Sequence, residues 1–135
     1  MPDSKKISLK TDAHESLIPI THQVADVLTE FGMVNGLMHI FVLHTTCGIT
    51  INENADPDVV HDLLERLNHL VPWRISSDRH MEGNSAAHLK STLLGSSVTV
   101  PVSNGQLVLG RWQGIFFGEF DGPRQRTLYL TAIPS

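Results

Sequence analysis

One cysteine, Cys47, is all the chain contains, so no disulfide forms within it and a reducing compartment, the cytoplasm, is the expected setting. Long apolar runs are missing too. No window approaches the roughly 18 to 20 apolar residues of a membrane span, and the opening Met1-Pro-Asp-Ser-Lys-Lys reads as no targeting segment, so no membrane partner is expected. Positive charge is in deficit: ten basic residues stand against fourteen acidic ones, a net charge of -4 with neutral histidines. Without a positive field to gather polyanions, nucleic acid is not an expected partner either. There is no Gly-rich phosphate loop, and therefore no nucleotide cofactor is predicted. Repeats, low-complexity tracts and linkers are likewise lacking.

What remains is 135 residues, 41% hydrophobic and 18% charged, the size and balance of one globular domain spanning 1–135. Ile7, Leu9 and Thr11 alternate with polar neighbours as a half-buried strand does, and Leu17 to Ile20 suggests a second, shorter one. Thr21 offers an N-cap to a helix with Val24, Val27, Leu28 and Phe31 at helical spacing and Gly32 at its end. Leu37 to Leu43 reads as a buried strand, and Thr50-Ile51 as a possible further one. Asp56-Pro57 caps a second helix whose stripe is Val60, Leu63, Leu64, Leu67 and Leu70. Asn84 or Ser85 caps a third, holding Ala87, His88, Leu89, Leu93 and Leu94 up to Gly95. The period then changes to two: Ser97 to Val102, Gln106 to Leu109, Trp112 to Phe120 and Thr127 to Ile133 predict four strands in an antiparallel meander, the first two joined by a turn at Ser103-Asn104-Gly105. The class is α+β, mainly antiparallel sheet with about three helices in a single domain.

Chemistry-bearing residues fall in three stretches. His44-Thr45-Thr46-Cys47 closes an apolar strand, His80-Met-Glu82-Gly83-Asn84 and His88 flank a helix start, and Glu119-Phe-Asp121-Gly-Pro-Arg124-Gln-Arg126 spans a turn between strands. A catalytic zinc site uses three protein ligands and a water, which makes His44, His80 and His88 candidate ligands of a divalent metal, zinc first. Their spacing matches no standard zinc motif, and a packed or surface role for each imidazole competes. Glu53 and Glu82 are the carboxylates expected to orient an imidazole or move a proton, against a solvated-loop reading. Asn52, Asn84 and Thr45 are candidate substrate contacts, with helix capping the competing task of Asn84. Arg124 and Arg126 either pair with Glu119 and Asp121 or present forked donors to an anion. Cys47 reads as a small buried hydrophobe rather than a nucleophile.

Together these stretches resemble the YjbQ-type family, sometimes labelled secondary thiamine-phosphate synthases. The resemblance runs from about Leu37 to Ile133 through His44-Thr-Thr, Ile51-Asn-Glu-Asn, Asp56-Pro, His80-x-Glu-Gly-Asn, Ala87-His88, Gly95-Ser-Ser, Val100-Pro-Val, Trp112-Gln and Glu119-Phe-Asp-Gly-Pro-Arg-x-Arg. It implies a compact α+β fold with a barrel- or sandwich-like sheet, a homotrimer with pockets near subunit contacts, and site residues at His44, Glu53, His80, Glu82, Asn84, His88, Glu119, Asp121 and Arg124. Arg111 departs from the threonine that relatives commonly carry before Trp-Gln. The function implied is a small-molecule enzyme with a histidine-rich site, with or without a bound metal, acting on a phosphorylated substrate. Its reaction would join a pyrimidine diphosphate to a thiazole phosphate with loss of pyrophosphate. The alternative is a non-catalytic trimer that binds a metal or small anion.

Overall fold

The computed structural model describes residues 3–135. Along the chain run β1 (Ser4–Lys10), β2 (Ser16–Pro19), α1 (Thr21–Phe31), β3 (Gly36–Val42), β4 (Cys47–Glu53), α2 (Pro57–Leu70), α3 (Ser85–Leu94), β5 (Ser97–Ser103), β6 (Gln106–Leu107), β7 (Gln113–Glu119) and β8 (Gln125–Pro134). Strand pairing is antiparallel throughout and gives a five-stranded sheet, β1-β8-β3-β5-β6, and a three-stranded sheet, β2-β7-β4. The sheets curl into a half-barrel around one core, as the α+β reading expects. Met38, Ile40, Leu128 and Leu130 of the larger sheet meet Ile49, Ile115 and Phe117 of the smaller, and Val24, Val27 and Leu28 of α1 complete the cluster. No helix among the described residues is long and apolar enough to cross a membrane.

The C-terminal third is not a meander. β5 and β6 do form a hairpin over Asn104 and Gly105, both at positive φ (53° and 74°), as a tight hairpin turn requires. β7, however, joins the other sheet between β2 and β4, and β8 inserts between β1 and β3. The reason is burial. β7 is covered from Gly114 through Glu119, and a strand buried on both faces needs neighbours on both edges and layers on both sides.

Helix ends follow local chemistry. Gly32 takes the left-handed conformation and donates its N–H to Leu28 and Thr29 carbonyls, and Asp56 accepts the N–H of Asp58 with Pro57 at the first helical position. Thr21 is not the cap expected of it: it is the first helical residue, and its hydroxyl accepts the Ile115 N–H at 2.9 Å, tying α1 to β7. In α3 the predicted apolar residues Leu89 and Leu93 are exposed, while Ala86, Ala87, Lys90 and Ser91 face inward. Small residues let this helix lie close on β4, where a Cβ on Gly48 would stand 2.9 Å from both the Gly95 oxygen and the Leu94 Cβ.

Lys90 is 1% exposed. A buried ammonium is costly unless each proton finds an acceptor, and its Nζ donates to Glu15 and Asn68 at 2.5 Å each. One cation thereby ties α3 to α2 and to the β1–β2 loop.

Candidate functional site

Three chain stretches converge on one hollow of about 440 Å³. The segment after β3 brings Leu43 to Thr46; the loop before α3 brings His80, Glu82 and Asn84, with His88 one turn into the helix; the β7–β8 turn brings Asp121, Arg124 and Arg126. Of the candidate residues, His44, Thr45, His80, Glu82, Asn84, His88, Asp121 and Arg124 line this space together.

Asp121 organises one wall. Its Oδ2 accepts from Asn84 Nδ2 at 2.8 Å and from Arg124 Nη2 at 3.0 Å, and His14 Nε2 stands 3.8 Å from Oδ1. Arg124 also donates Nε–H to the Asp121 carbonyl at 2.7 Å. Two of the five N–H donors of this half-exposed guanidinium are thus held by Asp121, and three have no acceptor among the described residues. Because Asn84 turns its amide to Asp121, it makes no side-chain cap on α3, and no acidic residue occupies the first turn. The first-turn N–H groups of α3 thus have no side-chain cap, and the carboxylate nearest that helix end is Asp121, held through Asn84.

His44 is half-buried, and its Nε2 accepts the backbone N–H of Thr127 at 2.8 Å. Burial lowers its pKa first, and the Arg126 and Arg124 charges lower it further against an opposing pull from Glu119. The ring is therefore neutral at pH 7 with its proton on Nδ1. His80 and His88 meet edge to face, centroids 5.4 Å apart at 81°, and Glu82 comes within 3.9 Å of His80 Nε2.

A divalent ion does not fit these residues. His44 has its one lone-pair nitrogen engaged by Thr127, and among the described residues no group of three or more His, Cys, Asp or Glu side chains is arranged to hold a metal. Two imidazoles fall short of the three protein ligands of a catalytic zinc.

Glu119 and Arg126 form a closed network instead of a reactive group. Glu119 has no exposure and accepts from Thr11 Oγ1 at 2.7 Å, Asp121 N–H at 3.0 Å and Arg126 Nε at 2.8 Å, with Arg126 Nη2 at 2.5 Å. Burial alone would raise this carboxyl's pKa; the hydrogen bonds from Arg126, Thr11 and the Asp121 N–H more than offset it and hold the pKa below the usual range. Arg126 also donates to Thr46 Oγ1 at 2.9 Å, so the pair braces the floor of the hollow. Glu119, a site residue by the resemblance and a candidate for catalysis, accepts two hydrogen bonds on each oxygen and takes the ion-pair alternative with Arg126.

Glu53 and Asn52 lie elsewhere. Asn52 Oδ1 accepts the Glu53 N–H and Glu53 accepts the Asp56 N–H, which shapes the approach to α2. Glu53 lines a separate hollow of about 270 Å³ with Asp56, Pro57 and Val60. Burial pushes the Cys47 thiol up to about 12, so it stays protonated. Arg111 packs by the Trp112 ring, 5.9 Å from its centroid, and does not line the histidine hollow.

The family model described as UPF0047 protein YjbQ-like matches residues 5–135. The chain belongs to this family. Among UPF0047 relatives, protein YugU of Bacillus subtilis is 53% identical over 93% of this chain and 96% of its own length, and a protein of Methanocaldococcus jannaschii is 48% identical over 95% and 92%. The crystal structure of a Clostridium acetobutylicum family member superposes with a TM-score of 0.92 at 47% identity, covering 96% of this chain and 99% of that one. A Sulfolobus solfataricus YbjQ-like protein of unknown function superposes with a TM-score of 0.94 at 33% identity over 100% and 99%.

In this UPF0047 chain a further hollow of about 450 Å³ shares His44, Thr45 and His88 with the first and adds Ser91, Thr92 and Ser96. Sequence reasoning passed over these hydroxyls, although Ser91 and Thr92 stand three and four residues beyond His88 and so share its helix face. Lys90 was missed because nothing local marks a lysine whose partners, Glu15 and Asn68, are 75 and 22 residues away.

Proposed function

We propose that this UPF0047 protein is an enzyme acting on a phosphorylated small molecule in the histidine hollow. The observation that carries the reading is the convergence of His44, His80, Glu82, Asn84, His88, Asp121 and Arg124 from three separate stretches on one space. Free N–H donors of Arg124, the uncapped start of α3 and the Nδ1–H of His44 suit a phosphate oxyanion. His80 and His88, with Glu82 beside His80, supply the proton-transfer pair. No step is routed through a metal. The narrower form of the reading is a thiamine-phosphate synthase-like transferase, in which the same donors would stabilise a departing pyrophosphate.

We place a homotrimer in the same reading. Its support is a pair of apolar rungs on the outer face of the larger sheet, Leu37 opposite Ile133 and Phe41 opposite Tyr129, on either side of His39 opposite Thr131, the four apolar side chains all exposed in the single chain. Leu43, also exposed, lies at the edge of the hollow. Light scattering is expected to give three times the 14.9 kDa chain mass; a monomer at micromolar concentration sinks the assembly.

Calorimetric titration with inorganic phosphate tests the site. Saturable binding that the double variant His80→Ala/His88→Ala weakens is expected, and no binding to the wild type overturns the reading. For the transferase, a pyrimidine diphosphate and a thiazole phosphate supplied together should yield pyrophosphate at a rate that Glu82→Gln lowers. Absence of pyrophosphate removes that substrate pair.

A further inference from the structure

The hollow beside the phosphate site has walls of a different character. Apart from the shared residues it is lined by Cys47, Ser91, Thr92, Gly95 and Ser96, and it contains no phenyl, phenol or indole ring. Two of its hydroxyls have fixed directions. Ser91 Oγ donates to the Ala87 carbonyl at 2.8 Å and Thr92 Oγ1 to the His88 carbonyl at 2.9 Å, so each proton is committed to the helix backbone and lone pairs are left for a ligand. His44 supplies the opposite polarity. With Nε2 taken by the Thr127 N–H, the neutral ring carries its proton on Nδ1, and His44 borders both hollows. Cys47, buried and protonated, adds no charge.

An uncharged wall of hydroxyl groups, two of them fixed as acceptors, beside the His44 N–H donor matches alcohol groups, each of which donates one hydrogen bond and accepts others. It is a poor match to an aromatic body, which needs flat apolar or stacking surface. We infer that the substrate is a phosphorylated polyol of the sugar-phosphate class, its phosphate at Arg124 and the start of α3, within reach of His80 and His88, and its hydroxylated body along α3 against Ser91 and Thr92. This rests on the phosphate reading of the main hollow and stands against its transferase form, whose pyrimidine and thiazole rings are aromatic bodies.

Calorimetry on the full chain separates the two ideas with four probes: inorganic phosphate, a pentose 5-phosphate, the same pentose without phosphate, and phenyl phosphate. The pentose phosphate is expected to bind about tenfold more tightly than inorganic phosphate or phenyl phosphate, the effect of one or two added hydrogen bonds. In Thr92→Val and Ser91→Ala chains that keep the wild-type melting temperature, the ratio of pentose phosphate to inorganic phosphate affinity should fall towards one. Phenyl phosphate binding as tightly as the pentose phosphate, or ratios unchanged in both variants, overturns the polyol subsite while leaving the phosphate site standing. Failure of every phosphate to bind overturns both.

Discussion

The backbone N–H of Thr127 donates to Nε2 of His44 at 2.8 Å, so an imidazole takes the place on β8 that β3 gives up after Val42. Ring orientation and tautomer are set by one contact. Burial and the neighbouring arginines hold the His44 pKa below its ordinary value. An unfolded histidine takes up its proton near roughly pH 6.5, whereas the folded ring does so only at lower pH. Between those two values the unfolded chain binds more protons, so the stability owed to neutral His44 is full above the window and declines as pH falls through it. Melting temperature measured from pH 7.5 downward should drop, and His44→Gln should flatten that slope. An unaltered slope in the variant assigns the titration to another group.

The buried pair Glu119 and Arg126 should behave asymmetrically. Removing one partner strands the other charge in the core: Glu119→Gln or Arg126→Met is expected to cost about 3 to 5 kcal/mol in denaturant unfolding. Replacing both together should cost less than the sum of the two, because neither charge is then left alone. Strict additivity in this cycle would mean that the 2.5 Å contact contributes little coupling. The pH sign follows from the lowered Glu119 pKa: its contribution is present above the usual carboxylate range and is lost as pH falls through the folded value.

Local signals carried far into this fold. Gly32, Asp56-Pro57 and Asn104-Gly105 act at short range, through backbone conformation and neighbouring N–H groups, and a short-range cause leaves its mark in adjacent residues. The placement of β7 between β2 and β4 depends on which faces are covered, a property of partners distant in the chain. The site shows the same division. His80 and His88 stand near each other through one loop and one helical turn, and Asp121 and Arg124 through one tight turn. Glu53 ends a strand whose direction leads to a different hollow, and no residue beside it announces that.

Gly48 tests how closely α3 must sit. In Gly48→Ala the new methyl would lie 2.9 Å from the Gly95 carbonyl oxygen and 2.9 Å from the Leu94 Cβ, and neither is the free end of a flexible side chain. The helix has to shift outward, at a cost of about 1 to 3 kcal/mol. Since α3 carries Asn84 and His88, phosphate affinity should fall with stability in this variant. A chain with wild-type melting temperature and affinity would show that the helix has slack.

Arg124 offers the sharpest test of the charge arrangement. Asp121 holds its Nε and one Nη2 hydrogen at 2.7 and 3.0 Å, which aims the guanidinium while leaving other donors for an anion. Arg124→Gln removes the charge and the fork, and inorganic phosphate affinity should drop about tenfold to a hundredfold, the range for one or two hydrogen bonds to a charged group. Arg124→Lys keeps the charge but loses the planar fork and its anchor on Asp121, so its affinity should fall between the two. Both variants should melt close to the wild type, because the Arg124 side chain is half-exposed and Asp121 keeps its hydrogen bond from Asn84. Equal phosphate affinity in all three chains would remove Arg124 from the binding site and leave only its turn-bracing role.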